Sequence, residues 1–472
     1  MHRREFLVFS SVTSLLFVTG CGGNSSSRNS TNPAVKTSAL PIPKLLKPTM
    51  KNGIQHYDLD IKEAKHTFFE DKLTDTFAIN DSSYLGPTLL LQQGDRVSIN
   101  YKNNLKETIT MHGHGMHVPP TMDGTAHQAI APNQAWSPQY TVNQKACTNW
   151  YHPHTMEKTA EQVYQGLAGL IIVEDDESRA LDLPKRYGVD DIPLVLQDRY
   201  FASGQIDYSP SMREIMHGYT GDTFIANGAI EPTLDVEAKQ IRFRILNGSN
   251  SSVYELGFSD GRKFKQIATD NGFLEAPVSI SRLRLSPAER AEIVIDLSGD
   301  LNQRLEFKDY RHNKTFMTIN VSKSATQVTT LANKLTTLDP INVASAVRTR
   351  SFLFSGRRGS FQINGKSMDM KRIDERVPLG QTEIWEVKNN MGMDHNFHIH
   401  ATHFRLIERD GSTLNVAENE KGYKDVVFVP ANGTVKLLIK MIDYTNATVP
   451  YMYHCHFLEH EDRGMMGQFV VV

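Results

Sequence analysis

Cysteine is scarce in this chain, with three in 472 residues. Cys21 falls in an N-terminal leader, Cys455 stands among histidines and Cys147 is alone. No internal disulfide framework is expected unless Cys147 and Cys455 pair, which metal ligation by Cys455 would forbid. Charge of one sign is lacking too: 51 Lys and Arg against 53 Asp and Glu leave a net −2, which gives no sign of a nucleic-acid partner. A membrane-spanning run is also missing, because the apolar stretch that ends at Thr19 is too short to cross a bilayer comfortably. At 39% hydrophobic and 22% charged the composition is that of a soluble globular protein, and the length suggests about three domains.

Histidine, in contrast, is concentrated. Ten of the 18 fall in four tight groups: His112-x-His114, His152-x-His154, His395-x-x-His398-x-His400, and His454-Cys455-His456 with His460. Side chains alternate along a strand, so each H-x-H places both rings on one face, as a polynuclear copper site requires. In the last group the same alternation sends Cys455 to one face and its flanking histidines to the other. Cys455, His460 and Met465 supply thiolate, imidazole and a weak thioether, one histidine short of a blue-copper donor set. Zinc is disfavoured, since structural zinc sites draw on paired cysteines or a His pair at helical spacing.

An internal repeat organises the chain from about residue 50. RVSINYKNN (96–104), IRFRILNGSN (241–250) and TEIWEVKNN (382–390) are alternating strands ending in an Asn-rich turn, about 144 residues apart. Each is followed by a Pro-led strand: APNQAWSPQYTV (131–142), SPAERAEIVIDL (286–297) and VPANGTVKLLIKM (429–441). Three copies of one β unit follow, and an all-β protein of consecutive sandwiches is expected. The acidic stretch 174–185 and the polar stretch 322–347 read as linkers. The middle copy carries none of the ten histidines, so a shared site should lie in the seam between the first and third copies, with the second as a spacer that orients them.

With MHGHG (111–115), WYHPHT (150–155), DHNFHIHATHF (394–404) and HCHFLEHEDRGMM (454–466), the sequence resembles the multicopper oxidases, in particular bacterial laccases and cuprous oxidases. The resemblance spans essentially the whole mature chain and implies three consecutive cupredoxin-like Greek-key domains, at 46–180, 181–335 and 336–472. It implies four coppers: type 1 on His395, Cys455, His460 and Met465; type 2 on His112 and His398; and a type 3 pair on His114, His152, His456 and on His154, His400, His454. Four one-electron metals match the four electrons that reduce O2 to water, and the Cys455 peptide would carry electrons to His454 and His456. Asp123 and Glu461 stand where the family keeps acids, and are candidates for proton supply.

The substrate reads as Cu(I), because Met391 and Met393 with Asp394 lead into His395, Met368 and Met370 form a second pair, and thioethers suit Cu(I). The chain lacks the long Met-rich insertion of many bacterial cuprous oxidases, which keeps a laccase-like oxidation of phenols or aromatic amines as the alternative. A copper-free export or cell-division scaffold of the same fold is a third reading, but it should have lost ligands that are all present here. Arg3 and Arg4 before Phe6 and Leu7 resemble a twin-arginine export signal, and Val18-Thr19-Gly20-Cys21 resembles a lipoprotein cleavage box. The expectation is a signal over 1–21, a flexible Ser/Asn-rich tether over 22–45, and a monomer held at the cell envelope or in the periplasm by lipid on Cys21.

Overall fold

The computed structural model describes residues 32–325, 329–357 and 359–472. The export signal, Cys21 and the start of the expected tether lie outside these residues. Strands dominate, and the longest described helices have six residues. Three successive units each pair two sheets around their own apolar core.

The repeated segments occupy equivalent places. Strands Arg96–Asn103, Gln240–Asn247 and Thr382–Asn389 each lie beside a parallel strand: Ile54–Phe69, Asp191–Arg199 and Ala346–Arg357 respectively. On the other side each meets an antiparallel strand from its Pro-led segment. The third, Thr382–Asn389, alternates half-buried and buried positions, as period two demands of a strand over one core. Gln240–Asn247 is buried on both faces. Its second face carries Arg242 and Arg244 into the contact with the first unit, where Glu292 accepts from both arginines and from Thr148 Oγ1 at 2.7 Å.

The Asn that ends each repeated strand has one job in all three units. Asn103 donates to the carbonyls of Glu107 and Ile130, Asn247 to those of Ser252 and Leu285, and Asn389 to those of Met393, Val429 and Pro430. Each Asn Oδ1 accepts a nearby N–H, from Leu105, Ser249 or Met391. A buried strand end leaves backbone groups without ladder partners, and these amides satisfy them.

The flexible-tether expectation fails over its described part. Asn32 exchanges hydrogen bonds with Phe201 and Gly204, Val35 bridges to Phe69 and Ala39 to Thr233. Leu40 is buried in the middle unit's core, and Leu45–Leu46 adds a parallel strand to Thr88–Gln92. The apolar side chains that follow the Ser- and Asn-rich stretch find sheet edges in two units, so the segment is a strap. The two expected linkers are packed as well: Leu183 and Leu335 share a buried cluster with Ile267 and Phe273.

Candidate metal centre

Cys455 sits where the chain leaves strand Asn446–His454. Its N–H donates to the Met465 carbonyl at 3.1 Å, and the five-residue helix Leu458–Asp462 turns His460 back to the same spot. Strand His395–Ile399 pairs alongside, with His398 opposite His454, and contributes His395. The Nδ1 atoms of His395 and His460 are 3.0 Å apart and lie 3.4 and 3.8 Å from Cys455 Sγ. All three residues are buried, as is Met465, whose N–H donates to the His460 carbonyl at 3.0 Å. The Phe361 ring stacks on His460 at 4.1 Å. Burial pushes the Cys455 thiol up to about 12 and His395 down to about 3. Both therefore rest uncharged at neutral pH, and a bound metal would ionise the thiol.

The other eight histidines form a second buried cluster from both outer units. His154, His400 and His454 make one trio, with the Nε2 of His454 3.2 Å from the Nε2 of each partner. His152 and His456 approach to 3.4 Å through Nε2, and the His114 ring lies 5.1 Å from that of His456. His112 and His398 complete the set, with ring centroids 6.2 Å apart. Beyond the rings, the partners are acceptors. The Nδ1 atoms of His112, His152 and His398 meet the carbonyls of Asp123, Pro153 and Asp425 at 2.6, 2.7 and 2.9 Å. His400 Nδ1 meets Asp123 Oδ2 at 2.8 Å, and His114 Nε2 meets Asp425 Oδ1 at 3.1 Å. Carbonyls and ionised carboxylates only accept, so these ring nitrogens carry the proton and their opposites present lone pairs to the cluster.

Both proposed acids are buried here. Asp123 leaves its Oδ1 without a hydrogen bond. The turn behind it requires glycine: Gly124 has φ +80° and a Cβ there would stand 1.9 Å from the Met111 carbonyl oxygen. Glu461 lies 3.1 Å from His454 Nδ1 and 3.6 Å from His154 Nδ1. Burial opposes its charge, but these histidines outweigh it and hold the carboxyl well below the usual range.

Three residues that matter here escaped the sequence reading. Asp425, fully buried, touches His114 and His398 and is gripped by Arg290 with two 2.6 Å bonds. Arg290 belongs to the middle unit and also donates to Asn149 Oδ1 at 2.7 Å. Asn396 accepts from His456 N–H at 2.6 Å and donates to the Pro287 carbonyl of the middle unit at 2.8 Å. The middle unit, expected as a spacer that orients its neighbours, fixes the partners of the cluster. Nothing local marks Asp425 or Arg290, whose pairing crosses 135 residues.

The donor set fits copper. His112 Nε2, His114 Nδ1 and His398 Nε2 are buried with no hydrogen-bond partner, a state that costs about 1–3 kcal/mol per group if nothing binds there. Imidazoles with one thiolate and a thioether are ligands that select copper. Two family models, both described as multicopper oxidase, match residues 60–178 and 335–472. A Staphylococcus aureus multicopper oxidase is 35% identical over 93% of this chain and 94% of its own length. This chain is a multicopper oxidase. The oxidase is similar to two further proteins of different description. One is a Xenorhabdus nematophila cell division protein, FtsP, 35% identical over 92% of each. The other is a solved laccase-like multicopper oxidase from Ochrobactrum sp., with oxidase activity towards lignin model compounds, 35% identical with a TM-score of 0.85 over 92% of this chain and 100% of that one.

Around the sulfur-containing site of the oxidase the methionines divide. Met391 is buried in the third unit's core. Met393 and Asp394 line a cavity of about 240 Å³ with Arg311 and Phe457, where Asp394 is paired with Arg311 at 2.8 Å. Met368 is held by its N–H to the Gly464 carbonyl, and it and Met370 are half-buried. A further pair had no signal in the motifs. Met212 and Met216 lie one turn apart on helix Met212–His217, and the backbone of Ile215 and Met216 faces His460.

Proposed function

We propose that the oxidase holds four coppers and couples four one-electron oxidations of Cu(I) to the reduction of O2 to water. His395, Cys455, His460 and Met465 would hold type 1 copper, His112 and His398 type 2, and the two trios the type 3 pair. Bound copper supplies one-electron redox storage and open positions for O2. The chain's own residues do the rest. Cys455 is covalently continuous with His454 and His456, so one short peptide joins the electron-entry site to the oxygen-reducing site. Asp123, with one oxygen outside any hydrogen bond, and Glu461, a carboxylate against two ring nitrogens, are placed to accept protons and pass them on to the departing water.

One observation carries the choice of Cu(I). The Met216 sulfur accepts from Gly359 N–H at 3.1 Å, the Met212 sulfur packs on the same glycine, and Met212 is 52% exposed. Two soft donors thus stand between solvent and the edge of His460. The neighbouring cavity of about 240 Å³ is smaller than the roughly 300–1,000 Å³ of organic-ligand pockets. The test compares kcat/KM for Cu(I) and for a methoxyphenol on loaded protein. Met212→Ala with Met216→Ala should lower the first and spare the second. The reverse would establish the laccase-like alternative, and inactivity on both would favour the scaffold reading, some relatives being named cell division proteins. We further propose export after folding through Arg3 and Arg4, and anchoring through Cys21 as a lipidated monomer. Cys21→Ala should then release the protein from membranes with its colour intact.

A further inference from the structure

Two of the eight histidines outside the four groups follow closely on those motifs. His117 lies three residues beyond His114 in the first unit, and His403 three beyond His400 in the third. Their rings face each other across the seam with centroids 5.0 Å apart and planes inclined by 34°. Ring pairs whose nitrogens converge in the cluster stand at similar separations, 4.9 Å for His154 with His454 and 5.3 Å for His400 with His454, and cross more steeply, at 86° and 66°.

The protonation of His117 is set from outside. Its Nδ1 lies 2.9 Å from Asp443 Oδ2, an acceptor when ionised, so this nitrogen carries the proton. In neutral His117 the Nε2 lone pair is then bare. That atom is buried, the residue being 3% exposed, and it has no hydrogen-bond partner. The main chain is fixed as well, by His117 N–H to Gln144 Oε1 at 2.9 Å. Burial, and then the neighbouring His117 and Arg405, hold His403 well below the usual histidine range, so its ring offers a lone pair at neutral pH. Asp443 is 16% exposed and His403 only half-buried, which leaves an approach from solvent.

We propose that His117 and His403 form a separate site for one borderline divalent cation, Zn²⁺ or Cu²⁺, that clamps the first unit to the third. The carboxylate of Asp443 on the far nitrogen of His117 orients the ring and raises its basicity, as such carboxylates do behind metal-binding imidazoles. Two protein donors leave the remaining positions to water. Arg405, beside His403 and stacked on Tyr423 at 5.4 Å, opposes the cation, and Asp443 offsets it. Because each unit gives one ligand, occupancy and docking of the units are one equilibrium. This site requires nothing of the Cu(I) reading.

The test titrates Zn²⁺ into copper-loaded, blue oxidase by calorimetry and metal analysis. The expected result is one equivalent of Zn²⁺ taken up with copper content and blue absorbance unchanged, and a rise in Tm. His403→Ala should lose that equivalent while keeping copper and colour, and Asp443→Asn should weaken it by roughly 10–100-fold. No uptake, or uptake unchanged in His403→Ala, would overturn the proposal. If His403→Ala does not fold, zinc-edge absorption on the wild-type protein decides: two imidazoles around the ion support the site, and oxygen ligands alone refute it.

Discussion

As the proposed type 1 ligand, Cys455 is chemically the most exacting residue in the chain, since it would have to be a thiolate in a site whose burial favours the thiol. Only metal can pull it across, so colour follows from this one side chain. Cys455→Ser should abolish the blue band, and metal analysis should then show about three coppers in place of four. His398→Ala should stop O2 reduction and keep the band, whereas His395→Ala should bleach it. If both variants bleached alike, the partition of the histidines would be wrong. Arg290 presents a different hazard, a fully buried cation facing Asp425. Arg290→Ala leaves that carboxylate uncompensated and should cost about 3–5 kcal/mol in denaturant unfolding, with copper retention impaired. The histidines were legible in the sequence because ligation demands particular residue types at a strand's period. Asp425 and Arg290 were not, because their importance lies in each other, and only folding brings them together.

At the scale of elements, short pieces carry long-range duties. Helix Leu458–Asp462 is too short to persist alone. It is fastened at both ends: Glu459 accepts from Asn250 Nδ2 of the middle unit at 2.9 Å, and Asp462 accepts from the N–H groups of Thr159 and Ala160 in the first unit at 2.9 Å. The position of His460 therefore depends on all three units. The three strand-end asparagines give a matched set of predictions. Asn103→Ala, Asn247→Ala and Asn389→Ala should each lower stability by about 3 kcal/mol, since each strips several buried backbone groups of partners. Chemical denaturation measures it, and a neutral substitution would show that the shared geometry is incidental. The repeats were readable because alternation and an Asn turn recur. The strap over 34–45 was not, since its apolar residues follow directly on a Ser- and Asn-rich stretch and its partners, Phe69 and Thr233, lie far along the chain.

The whole molecule is built around a cavity of imidazoles, and this sets its response to acid. His154 is held down to about 4 and His456 and His395 to about 3, in each case first by burial, against about 6.5 in an unfolded chain. As pH falls below 6.5 the unfolded chain takes up protons that the folded one refuses, so folding stability decreases with falling pH towards 4. Copper-stripped protein should therefore lose Tm steeply between pH 7 and 4. At pH 7, stripping itself should lower Tm, because ligands from two units no longer share metals. A flat pH profile for the stripped protein would mean that these rings are solvated. The strap has a further consequence, for reach. With the chain pinned from Asn32 onward, an anchor on Cys21 would leave ten residues, 22–31, as the leash. Fully extended they span at most about 35 Å, less than the molecule's own width of roughly twice a 23 Å radius of gyration. An enzyme so tied would graze the bilayer surface and meet only those ions that cross the thin layer of water next to it.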